Sequence, residues 1–204
     1  MEHKTILRAN TAVKLVALAI IMTFSFGKVS AQSGAPVKLK VTNASYRHSL
    51  APQGNNTYGP MNMVDGDPAT VWAVSLNNDR IYDYNGMGLP NDRIWGPEFE
   101  VKCKKLSHIV IRNGYGKSAT AYINNSRLDY VEFSISGTEG GGTVEEDLED
   151  VSTPQRIDII DVEDSEDWNR NITTVQMIFY IDGIIEGAKW NDLCISEIEF
   201  WGWE

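Results

Sequence analysis

Cysteine is scarce in this chain, with two among 204 residues. Cys103 and Cys194 cannot staple a disulfide-rich scaffold. On a period of two, Cys103 shares a face with Phe99 and Val101, and Cys194 shares one with Ile198 and Phe200. Both are therefore expected inside, either bridged to each other or as separate core thiols. Separate thiols are the favoured reading, because a buried free cysteine packs as a small hydrophobe. Histidine is as sparse: beyond residue 31 only His48 and His108 remain. A catalytic triad would have to use one of these, and His108 sits inside an apolar strand pattern. There is no zinc-protease helix motif, no glycine-rich phosphate loop and no nucleophile elbow. The acids crowded into 145–150 and 161–167 have no apolar pocket to raise one pKa, so they read as solvated edges and not as a glycosidase pair.

Long apolar runs are missing except for one. Leu15 to Phe26 follows Lys4, Arg8 and Lys14 and precedes the small-residue site Val29-Ser30-Ala31. At twelve residues it is short of the roughly 20 that span a bilayer. It reads as a signal peptide over 1–31, with the mature chain beginning at Gln32 and no membrane span left in it. No cysteine lies near the cleavage site, which argues against a lipid anchor. Secretion follows, extracellular or periplasmic. Basic residues are also few: residues 32–204 hold 14 against 27 acidic ones, a net charge of −13. That excludes nucleic acid and anionic membrane surfaces as partners, since both require a basic patch. The 173 residues that remain fit one domain with a sizeable core.

What is present is a succession of strands. After a Ser/Gly/Ala/Pro linker at 32–36, strands are expected at Val37–Ser45, Phe99–Cys103, Leu106–Arg112 and Leu128–Ile135. Others follow at Gln155–Val162, Thr173–Ile181 and Ile195–Trp201, with an acidic edge strand at Val144–Val151. Gly140–Gly142 reads as a turn and 75–97 as an aromatic loop. About eight strands, turns rich in Gly, Pro and Asn, no long helix and no internal repeat predict an all-β jelly-roll sandwich over 37–204.

One loop stands out. Asn113 to Arg127 joins two strands and carries Tyr115, Lys117, Tyr122, Asn125 and Arg127. A loop this long and polar inside a compact domain points to ligand binding. The alternative is that Tyr122 and Arg127 brace the loop, with Arg127 on backbone carbonyls. A second segment, Asp65-Gly66-Asp67-Pro68-Ala69-Thr70, gathers oxygens of the kind calcium takes, although it is also a good turn sequence.

These segments resemble a known family. Asp65 to Trp72 and the closing Ile195 to Gly202 are similar to the two ends of a discoidin domain, the coagulation-factor type-C, galactose-binding-like jelly roll. Leu50–Pro60, Asn113–Ser118, Tyr122–Arg127 and Asp192–Ile198 resemble more closely its NAD-glycohydrolase translocation subfamily, a module associated with glycan binding. The resemblance covers roughly 37–204, and 75–97 is longer than the family's equivalent link. It implies a structural calcium on Asp65, Asp67, Thr70 and Glu197. The expected function is a secreted, non-catalytic carbohydrate-binding module, with Tyr58, Asn113, Tyr115, Lys117, Tyr122, Asn125, Arg127 and Trp190 as its ligand residues. Sugar rings would stack on the aromatics while amide and charged side chains hold the hydroxyls. Tyr82, Tyr84 and Trp95 form the reserve site. The alternative function is a cell-surface adhesion module; a secreted hydrolase comes last.

Overall fold

The computed structural model describes residues 34–78, 93–159 and 169–204. The expected signal peptide, Tyr82, Tyr84 and the acids at 161–167 lie outside the described residues. In chain order the strands are β1 (Val37–Lys38), β2 (Val41–Ser45), β3 (Trp72–Ser75) and β4 (Arg93–Asn113). Then come β5 (Arg127–Leu128), β6 (Tyr130–Gly137), β7 (Gly141–Asp147) and β8 (Gln155–Asp158). β9 (Arg170–Tyr180), β10 (Ile184–Ile185) and β11 (Asp192–Trp203) complete the set. A short 3-10 helix covers Pro60–Met63, and α1 covers Ala119–Asn124. Among the described residues no helix is long and apolar enough to cross a membrane.

β4 organises the fold. Its first half pairs with β9 on one side and β2 on the other. Its second half pairs with β11 and β8. β9 continues to β6, and β6 to β7, so one layer runs β2-β4-β9-β6-β7. β11 takes β3 at its start and β1 at its end, so the other layer holds β8, β4, β11, β3 and β1. Among the described residues all strand pairings are antiparallel apart from two isolated parallel bridges, and a small β5–β10 ladder lies apart. Irregularities between Trp95 and Glu98 and between Glu100 and Cys103 let β4 bend from one layer into the other.

The core lies between the layers. Along β4 the buried positions are Phe99, Val101 and Cys103, then Leu106, Ile109 and Ile111. β6 adds Val131, Phe133 and Ile135, and β9 adds Val175, Met177 and Phe179. Ile198 and Phe200 come from β11. Phe99 meets Phe200 at 5.2 Å between ring centroids, and Trp72 meets Phe179 edge-on at 6.3 Å, so aromatic pairs join the two layers.

The sandwich is the expected fold, with eleven strands among the described residues where eight were expected. Phe99–Cys103 and Leu106–Arg112 are one strand, and it begins at Arg93, inside the segment read as loop. The 113–127 connection contains α1. Gly141 and Gly142 belong to β7, and the turn lies just before, where Gly137 N donates to Gly140 O at 2.8 Å. β7 is the edge strand its charges indicate.

Cys103 and Cys194 are buried and unbridged. Cys103 belongs to the main core, and Cys194 to a small cluster with Val71 and Ala73. Burial pushes both thiols up, Cys103 to about 11, so neither holds much thiolate near neutral pH. Thermal melts with and without reductant should therefore coincide. A large drop under reductant would reveal a bridge, which over a loop of about 90 residues is worth roughly 4–5 kcal/mol.

Candidate ligand-binding site

The 113–127 connection is tied down at every turn. Asn113 ends β4 fully buried. Its Oδ1 accepts from the N–H groups of Gly114 (3.0 Å) and Leu128 (3.1 Å), and its Nδ2 donates to Leu128 O at 2.5 Å. One side chain thus closes both ends of the loop. Gly114 has φ +73°, and a Cβ there would meet the Tyr122 ring at 2.6 Å, so only glycine fits. The Ser196 hydroxyl donates to Gly114 O at 2.9 Å and accepts from Gly116 N at 2.7 Å. Ser118 caps α1 by accepting from Ala121 N at 3.1 Å, and Asn125 closes it by donating to Ala121 O at 2.8 Å.

Tyr122 and Arg127 turn inward, each 8% exposed. The Tyr122 hydroxyl donates to Asp150 Oδ1 at 2.9 Å. Arg127 grips the same carboxylate with Nε and Nη2 at 2.5 and 2.6 Å, and its guanidinium lies 4.8 Å over the Tyr122 ring. The Arg127 hydrogen bonds hold Asp150 below the usual carboxylate range. Burial, with help from Asp150, pushes Tyr122 up to about 12.

Four of the expected ligand residues serve the fold itself here. Asn113, Tyr122 and Arg127 are buried braces, and the Asn125 amide caps a helix. Arg127 and Tyr122 brace the loop on a carboxylate and not on backbone carbonyls.

The other four lie at or near the surface. Tyr58 and Tyr115 are half-buried and, with Leu50, roof the Val71–Ala73–Cys194 cluster on the outer side of β3 and β11. Lys117 is exposed. Trp190 is 50% exposed, although its loop is pinned to the end of α1. The N–H groups of Ala188, Lys189 and Trp190 donate to Ile123 O (2.9 Å), Asn124 O (3.2 Å) and Asn124 O (2.8 Å). A Cβ on Gly187 would lie 2.5 Å from Asn124 O, so the loop packs backbone against backbone. Lys189 Nζ sits 4.7 Å from the Trp190 ring, and Ile123 is 56% exposed. Lys189 and Ile123 were missed by sequence reasoning; the adjacency of Lys189 to Trp190 was the available signal. Trp95, of the reserve site, is half-buried on β4 beneath the Arg93 guanidinium.

The 65–70 loop is rich in oxygen. Thr70 Oγ1 has three acceptors around it: Asn62 O at 3.2 Å, Asp65 Oδ2 at 2.9 Å and Asp67 O at 2.9 Å. A hydroxyl has one proton to give, so acceptors outnumber donors there. Glu197 on β11 comes up beside this loop, 9% exposed, and its Oε1 has no hydrogen-bond partner. Burial and the neighbouring Asp65 carboxylate push Glu197 up to about 7, against the pull of Lys38 and the Gly66 N–H. Asp67 Oδ1 accepts from Ala69 N at 2.9 Å, and its carbonyl also accepts from Thr70 N at 3.0 Å. Among the described residues no three Asp, Glu, His or Cys side chains gather around one point. Two carboxylates, a hydroxyl and backbone carbonyls are the oxygen set that calcium accepts.

A two-layer antiparallel sandwich carrying its exposed aromatics on loops at the start of the last strand is a galactose-binding-like domain. The chain belongs to the NAD glycohydrolase translocation F5/8 type C domain family, which it matches over residues 37–201. Among solved structures it is similar to a putative chitobiase fragment from Bacteroides thetaiotaomicron, at 14% identity and a TM-score of 0.52, covering 85% of this chain and 96% of that one. An F5/8 type C domain from Bacteroides fragilis gives 12% identity, TM-score 0.48 and coverage of 84% and 99%. The family 32 carbohydrate-binding module of Clostridium perfringens NanJ, solved with galactose, gives 16%, 0.45, and 78% and 92%. No curated protein matches the chain.

The brace makes a stability prediction. Asp150→Asn should cost about 1–3 kcal/mol, because it strips the carboxylate from a buried arginine whose partner is itself half-exposed. Lys117→Ala should stay within about 0.5 kcal/mol. The lowered pKa of Asp150 means that its contribution is present above pH 3.8, its ordinary value, and fades as pH falls through the folded value. Acid melts of wild type and Asp150→Asn should therefore converge at low pH.

Proposed function

We propose that this domain is an exported, non-catalytic carbohydrate-binding module whose ligand stacks on Trp190. One observation carries the reading: a tryptophan held half in solvent by a loop that three backbone hydrogen bonds fix in place. Exposing so large an apolar ring is unfavourable unless something covers it, and a preset ring loses little entropy on binding. Lys189 supplies a donor beside it on a chain that is otherwise strongly acidic. Tyr115 packs on Cys194, which lies four residues along the chain from Trp190, at most about 13 Å away if extended. That separation suits an oligosaccharide better than a single ring. The exposed Ile123 beside Trp190 favours the second reading, an adhesion surface for a protein partner.

A glycan-array screen of residues 32–204 tests the choice. Trp190→Ala should weaken binding to the captured glycans at least tenfold, about 1.4 kcal/mol, with an unchanged melt. Normal glycan binding by Trp190→Ala would remove the site. Failure of every glycan to bind would leave the protein-partner reading.

A structural calcium is part of the proposal. Asp65, Thr70, Glu197 and the Asp67 carbonyl would hold it, and the orphaned Glu197 Oε1 and the crowded acceptors around Thr70 support the fit. The bound ion supplies positive charge between the 65–70 loop and the last strand. Chelation should lower the melting temperature by mass-action linkage, and Asp65→Ala should lose that response. A melt indifferent to chelator would exclude the ion.

A further inference from the structure

On the outer side of the β4–β11 pair lies a cleft of about 210 Å³, walled by Pro68, Val110, Arg112, Pro154, Glu197 and Glu199. That is below the roughly 300–1,000 Å³ of pockets for drug-sized ligands, and suits one ring-sized group. Two prolines and a valine give it apolar walls. Arg112 stands opposite Glu197 in the ladder. Its Nη1 donates to Ser152 O at 2.8 Å, which leaves the rest of the planar fork for a ligand. Glu199 is already satisfied, by Lys38 Nζ at 2.8 Å and Trp201 Nε1 at 2.9 Å. Glu197 is nine-tenths buried, lines the cleft and has an oxygen without a partner.

The charge count decides what such a cleft can take. Without a metal, Lys38 and Arg112 face three carboxylates, Glu197, Glu199 and Asp65, which leaves the surroundings negative. A divalent cation on Asp65 and Glu197 neutralises both carboxylates, and Arg112 becomes the uncompensated charge.

We propose that this cleft is a second sugar subsite, selective for a ring that bears a carboxylate, with Arg112 as its anchor and calcium on Asp65 and Glu197 as its condition. The inference rests on the carbohydrate and calcium readings above. The 113–118 turn joins the two places: Tyr115 lies over Cys194, while Gly116 is turned toward the Pro68 carbonyl and Arg112 Cδ. A glycan chain seated at one end can reach the other.

The test uses residues 32–204, with glucuronate as probe and glucose and acetate as controls, read by calorimetry and amide chemical shifts. In calcium, glucuronate should shift Gly66, Val110 and Glu197, and the controls should not. Chelator should abolish the binding, Arg112→Gln should weaken it at least tenfold, and Trp190→Ala should leave it unchanged. If Arg112→Gln fails to fold, Val110→Phe fills the cleft and serves in its place. Absence of glucuronate binding in calcium overturns the proposal, as does equal binding in chelator. Shifts centred on Trp190 that vanish in Trp190→Ala would also overturn it, while leaving the carbohydrate reading intact. Acetate binding as tightly as glucuronate would mark a bare carboxylate site and exclude the sugar.

Discussion

One strand belongs to both sheets, and the rest follows from that. Along its 21 residues β4 finds backbone partners on either side, first β9 and β2, then β11 and β8. The two layers therefore cannot slide past each other without breaking ladder hydrogen bonds. Its inward residues feed one core, where Phe99 and Phe200 meet across the layers. Its last residue, Asn113, spends its whole amide on the two ends of the next loop. The position of the candidate site is thus set by where β4 ends.

Strand alternation was legible where large apolar residues recur at every second position. Val131, Phe133 and Ile135 alternate against Glu132 and Ser134, Val175, Met177 and Phe179 keep the same period with Ile178 among them, and all six are buried. The continuity of β4 was hidden by two kinds of punctuation. Gly96-Pro97 reads as a breaker, although a bulge accommodates it, and Lys104-Lys105 reads as a gap, although both lie on the strand. The two-residue strands carry too little pattern to see. Six residues are likewise too few for α1 to display a helical period.

The loop's function was harder to read than its importance. Polar side chains between two strands look like ligand contacts, yet a buried loop backbone needs partners of its own. Asn113, Ser118 and Asn125 meet that need. Arg127 and Tyr122 answer to Asp150, which in sequence is one acid within a run of them. Nothing in the spacing separates that aspartate from its solvated neighbours. Gly114 was the available clue, because a glycine at positive φ against an aromatic ring places Tyr122 inside. Trp190 remained outside because Gly187 lets its loop lie flat on the end of α1.

Acid dominates this domain, and the placement of charge matters more than its sum. Most carboxylates face water, where repulsion is screened within about 8–10 Å. Asp65 and Glu197 differ: they approach each other at a partly buried point, where screening is weak and Glu197 is held up to about 7. Two carboxylates placed side by side destabilise the loop they share unless a proton or a cation intervenes. A proton relieves the repulsion but leaves the Thr70 hydroxyl one hydrogen for three acceptors, of which only Asp67 O also has the Thr70 N–H. A cation relieves both at once, and it does so beside Arg112. The proposed divalent ion would therefore stabilise the loop and reverse the sign of the neighbouring cleft through the same pair of carboxylates.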